Sequence, residues 1–207
     1  PGPPVVFLIH LAAVLDNWDP RIVDGIAAKH RVIAFDNRGV GASSGSPATS
    51  MEEMARDAIA FIKAMGFDQV DLFGFSMGGM VAQEIVLMAP QLVRRMILTG
   101  TGPAGGEGIS RVARVTYLDM LRGWLSFQDP KQFLFFTRSP DGIRAGKEFL
   151  ARLKERSADR DKKIRFDPLH DPNQWTIAHE FGHALGRPHE FQREDRDGHV
   201  DVCTTID

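Results

Sequence analysis

The sequence predicts an α/β fold in which a parallel sheet carries helices on both faces. Two observations predict it. Four short apolar runs lie in the first hundred residues, and between them lie stretches with the apolar spacing of amphipathic helices. The first run, Val5 to Ile9, is continuous, β-branched and entered through prolines, which favours a strand buried on both sides. Arg31 to Phe35, Val70 to Phe75 and Arg94 to Gly100 read the same way. Ser50 with Glu53 three residues on makes a capping box. Behind it Met51, Ala55, Ala58, Ile62 and Met65 mark one face of a helix. Met77 to Pro90 is a second helix, closed by its proline. Strands alternating with helices in this way specify a parallel sheet.

From Ile109 to Arg165 the pattern turns helical. Val112–Phe127 and Ile143–Ser157 are amphipathic, with breaks at Gln128–Phe133 and Arg138–Gly142. This stretch is either a cap over the sheet or a helical bundle beside it. At Phe166 the composition shifts. Basic residues crowd the stretch before it, and five of the seven histidines follow it. Three segments result: a sheet core (1–108), a helical cap (109–165) and a C-terminal segment (166–207) entered through the turn-rich run Phe166 to Trp175. The single cysteine, Cys203, allows no disulfide within the chain. A net charge of −2 gives no reason to expect nucleic acid as partner. No apolar run approaches the roughly 20 residues that span a bilayer, so no membrane partner is expected either.

Gly74-Phe75-Ser76-Met77-Gly78 is a G-x-S-x-G pattern placed between a predicted strand and a predicted helix. In that context it is a nucleophile elbow. The sharp turn strains the serine backbone, and the glycines leave room for the chain to pass. The helix that follows points its positive end at the site. Together with "FLIH" before a loop and Asp36-Asn37-Arg38-Gly39-Val40-Gly41-Ala42-Ser43 after the next strand, this stretch resembles the α/β-hydrolase family from about residue 5 to 164. The resemblance implies that Ser76 is the nucleophile. It also implies that the backbone N–H groups of Ala12 and Met77 form the oxyanion hole. Leu11 stands where the family usually has glycine, and the chain changes character before the strands that bear the family's acid and histidine. His170, His183 and His199 are the candidate replacement bases, and spacing selects none of them.

His179-Glu180-x-x-His183-x-x-Gly186-x-x-His189 has the spacing of a zinc site. Residues four apart share one helix face, so His179 and His183 can grip one ion. Gly186 turns the chain so that His189 returns as third ligand, leaving one position open for water. Glu180 is placed as the general base on that water. The run resembles the metzincin peptidases and, through Glu190, Arg193, Asp195, Arg196 and Asp197, the astacin family. It implies zinc (Zn) at His179, His183 and His189.

The chain therefore reads as a composite: a partial α/β-hydrolase-like sheet with a helical cap, followed by an astacin-like zinc-binding segment. The contiguous ligand set makes a zinc metallopeptidase the leading expectation, with Glu180 as its base and a peptide as substrate. The alternative is a serine hydrolase using Ser76 on a small ester or amide. A catalytically silent metal-binding composite is the third.

Overall fold

A computed structural model of the chain describes residues 3–11, 13–106 and 109–156, with the backbone alone for 109–114. They fall into two compact units, one carrying the sheet up to Ala104 and one beginning at Gly105.

The sheet has four parallel strands: β1 (Val5–Leu8), β2 (Val32–Ala34), β3 (Val70–Phe75) and β4 (Val93–Thr99). Their order is β2-β1-β3-β4. All four expected strands are present, with ends shifted by a residue or so. The helices of this unit are α1 (Pro20–Ala27), α2 (Met51–Ala64) and α3 (Met77–Met88). Alternation along the strands sorts their side chains between two cores. Val6, Leu8, Ile33, Val70 and Leu72 pack with Ala55, Ala58 and Ile62 of α2 and Val81, Ala82 and Ile85 of α3. On the other face, Val5, Phe7, Ile9 and Val32 pack with Trp18 and with Val23 of α1. There Phe7, Phe73 and Trp18 meet ring to ring, with centroids 4.8 to 5.6 Å apart. Helices thus cover both faces, and the α/β expectation holds.

The α2 N-terminus differs from its expectation in one bond. The Ser50 hydroxyl accepts from the Glu53 N–H at 3.1 Å, as a capping box requires. The Glu53 carboxylate, however, accepts from the N–H and hydroxyl of Thr49, each at 2.7 Å, and from Arg38 at 2.7 Å. It is drawn outward because Arg38 is buried, and its guanidinium needs both Glu53 and Asp57, the latter also at 2.7 Å. Burial pushes the Glu53 carboxyl up. The hydrogen bonds from Arg38 and Thr49 outweigh that and hold it at about 2.

At the opposite side of the sheet Arg94 clasps Asp71 across β3 and β4 at 2.9 and 2.5 Å. That bond, against the opposing effect of burial, keeps the Asp71 carboxyl below the usual range. Helix α3 stops at Met88, because Pro90 follows and starts a single 3₁₀ turn (Pro90–Leu92) that leads into β4.

The second unit is helical: α4 (Ile109–Leu125), α5 (Lys131–Phe135) and α6 (Pro140–Arg156). The expected break at Gln128–Phe133 contains the start of α5, where the Asp129 carboxylate accepts from the Lys131 N–H at 2.9 Å. Helix α6 begins on Pro140, a residue suited to a first turn. Gly123 lets α4 approach Pro130, where a Cβ would come within 2.8 Å of its Cα. No described helix is long and apolar enough to cross a membrane.

Glu53 makes stability depend on pH. Its folded pKa lies below its ordinary value of 4.5, so its contribution is complete above that value and is lost as pH falls toward about 2. Urea unfolding followed from pH 6 to ~2.5 should show stability falling across that window. Glu53→Gln should lower stability at pH 6 and flatten the slope.

Candidate active site at the nucleophile elbow

The strand order places the site. From β1 the chain moves outward to β2, then reverses and crosses to β3 on the other flank of β1. Ligands of open α/β sheets bind beyond the carboxyl ends of strands at such a reversal. Here β1 and β3 are the neighbours, paired in register from Val5 with Asp71 to Leu8 with Gly74. Their ends are level, so the loop after β1 and the turn after β3 lie side by side.

That turn is the expected elbow. Ser76 has φ 54° and ψ −120°, a conformation that side-chain-bearing residues rarely adopt. It is half-buried and directly precedes α3, and its side chain makes no capping bond to the helix. Its N–H donates to the Thr99 carbonyl at 3.0 Å, and its carbonyl accepts from the Gly79 N–H at 2.9 Å. The glycines have measurable reasons. A Cβ on Gly78 would come 1.9 Å from the Leu8 carbonyl oxygen, and one on Gly74 would come 2.7 Å from the Gly79 Cα. Helix α3 therefore starts against the end of β1, with its first N–H groups unused by the helix and available to an anion. Met77 supplies the first of these.

The loop after β1 is tied down from a distance. His10 turns its Nδ1 to the Leu11 carbonyl at 2.9 Å, and its ring meets Phe75 edge-on at 5.4 Å. Leu11, the residue in place of glycine, packs against the α2/α3 core. Further along, the Leu15 N–H donates to Asp36 Oδ1 at 2.7 Å. The other oxygen of Asp36 accepts from the Ala42 N–H at 3.1 Å. The 36–43 turn wraps this buried carboxylate. Gly41 adopts φ 60°, and a Cβ there would lie 2.2 Å from Asp36 Oδ2. Ser43 closes the turn by donating to the Asp36 carbonyl at 2.8 Å. The motif contributes a structural clasp between two loops, which motif matching alone did not show.

Of the other expected site residues, Ala12 lies outside the described residues. So do Glu180, His179, His183 and His189, the histidines His170 and His199, and Cys203. Among the described residues there is no cluster of three or more metal-ligating side chains.

The family model for the alpha/beta hydrolase fold matches residues 3–175, most of the chain. The chain belongs to the α/β-hydrolase family. A separate match to the astacin family (peptidase family M12A) covers residues 170–206. A Mycobacterium tuberculosis protein named for non-heme bromoperoxidase activity, BpoC, is 36% identical over 101 residues, covering 48% of this chain and 38% of its own length. An Azorhizobium caulinodans protein named for carbamate hydrolase activity, RutD, is 33% identical over 111 residues, covering 53% and 41%. The chain thus spans about two fifths of the length of these curated relatives, at 38% and 41%. Among solved structures, an alpha/beta hydrolase fold protein from Chitinophaga pinensis superposes with a TM-score of 0.67 at 35% identity, covering 76% of this chain and 56% of that one. An esterase from Rhodococcus shares the fold, with a TM-score of 0.54 at 24% identity and coverage of 73% and 60%.

These findings overturn the expectation of a zinc metallopeptidase, and the zinc and metzincin description with it, while the astacin match stays a resemblance confined to residues 170–206. The relatives and structural neighbours are α/β-hydrolases, and the family match runs through the sheet and the elbow. The physical reason lies in what the chain builds. A peptidase of the astacin kind needs a sheet edge beside its metal helix to hold the substrate chain. Among the described residues the sheet is the parallel one that carries Ser76.

Two glycine substitutions separate the elbow from ordinary helix. Gly78→Ala should lower the unfolding free energy by about 1–3 kcal/mol, the usual cost of overpacking. Gly25→Ala in α1, where an added Cβ meets nothing within 4 Å, should raise it slightly. Urea midpoints of both variants check this.

Proposed function

We propose that the chain carries the nucleophile of a serine hydrolase that acts on a small ester or amide, a carbamate included, through a covalent acyl-serine. The observation that carries this reading is the backbone of Ser76, held at φ 54° where β3 meets α3. That geometry lifts the serine hydroxyl to the carboxyl end of the sheet and sets it beside the first N–H groups of a helix. In the proposed reaction Oγ attacks the substrate carbonyl while a general base takes its proton. The oxygen that gains charge is met by the Met77 N–H, with the Ala12 N–H as the second donor that the family resemblance implies. The base is a histidine, for which His170, His183 and His199 are the candidates in this chain. The alcohol or amine then leaves, and water hydrolyses the acyl-serine.

Support for a small substrate comes from the relatives, named for carbamate hydrolysis and, among the structures, for esterase activity.

A fluorophosphonate probe should label the chain once, at Ser76, as located by peptide mass spectrometry. Turnover of p-nitrophenyl acetate should disappear in Ser76→Ala and persist in EDTA. An unlabelled Ser76, or turnover that survives Ser76→Ala, refutes the assignment.

A further inference from the structure

Thr101 lies two residues beyond β4, in the loop that passes the elbow. Its Oγ1 is 2.7 Å from the Ser76 carbonyl oxygen and 3.3 Å from that of Gly102. A hydroxyl has one proton and a carbonyl can only accept, so the shorter contact takes it.

The consequence follows from peptide planarity. The carbonyl of Ser76 and the N–H of Met77 belong to one rigid plane. The Ser76 N–H, donating to Thr99, fixes the plane before the serine. The Thr101 hydroxyl and the Gly79 N–H, both donating to the Ser76 carbonyl, fix the plane after it. Between them these three bonds set φ and ψ of the serine and the direction of the Met77 N–H.

Thr101 is itself held firmly. A Cβ on Gly79 would come 2.4 Å from Thr101 Cγ2 and 2.8 Å from its Oγ1, so glycine at 79 makes room for this side chain. Gln83 Nε2 donates to the carbonyls of Gly79 and Gly102, each at 3.0 Å, and so ties the loop to α3.

We propose that Thr101 is a positioning residue of the elbow: its hydrogen bond to the Ser76 carbonyl orients the Met77 N–H toward the developing oxyanion. This rests on the serine-hydrolase reading above.

The test uses the full chain with Thr101→Val, which keeps the shape and removes the donor, and Thr101→Ser, which keeps the donor. In Thr101→Val the rate of fluorophosphonate labelling and kcat on p-nitrophenyl acetate should each fall roughly tenfold, with KM unchanged. Thr101→Ser should keep the parent values. The carbonyl carbon resonance of Ser76 should shift in Thr101→Val and stay in place in Thr101→Ser. Parent-like labelling in Thr101→Val, equal loss in both variants, or an unmoved carbonyl resonance in Thr101→Val overturns the proposal. If the parent chain takes up no probe, the hydrolase reading falls on its own, and the carbonyl resonance still decides the role of Thr101.

Discussion

The positive φ of Ser76 is the constraint that the close packing around the elbow has to hold in place. A backbone held in that region costs of the order of 1–3 kcal/mol and persists only where its surroundings over-determine it. Here three close approaches do so. Gly78 lies against the Leu8 carbonyl, Gly74 lies against Gly79, and Gly79 lies against Thr101. The first requires β1 and the third requires the loop after β4; the second alone is internal to β3 and α3. The strained residue is therefore a product of the assembled sheet and cannot be preformed in the isolated hairpin of β3 and α3. The energy comes from the two cores, where Val6, Ile62, Val70, Leu72 and Ile85 on one face and Phe7 and Val23 on the other are almost wholly removed from water.

Polar groups set the loops on that apolar frame. Asp36 joins the loop after β1 to the turn after β2, and Arg38, in the same turn, joins it to α2 through Glu53 and Asp57. One turn thus carries an acceptor that reaches one way and a donor that reaches the other. A buried guanidinium with both carboxylates in place is tolerable in the interior, whereas one stripped of a partner is not. This explains why Glu53 leaves its usual capping role half unfilled.

Much of this was legible in the sequence. Apolar runs of five to seven residues, the first entered through prolines, marked the strands, and Met51, Ala55, Ala58 and Ile62 marked the buried face of α2. The elbow was legible because its chemistry is contiguous, from Gly74 to Gly78. The partners of the elbow were not. Thr101 stands 25 residues from Ser76 and Leu15 stands 21 from Asp36, and no spacing rule connects loops that a sheet brings together. The histidine motif misled for the same reason in reverse. Its five positions are contiguous and specific, yet they speak only for themselves. The family follows from the far longer stretch that builds the sheet.

The Asp36 carboxylate lies inside a turn that Gly41 keeps open, and it grips Leu15 from the neighbouring strand's loop. Anyone grafting the loop after β1 from a relative onto this scaffold must therefore transplant the turn after β2 as well. The two behave as one interchangeable module, and a swap of either alone leaves a carboxylate without its ligand or an amide without its anchor.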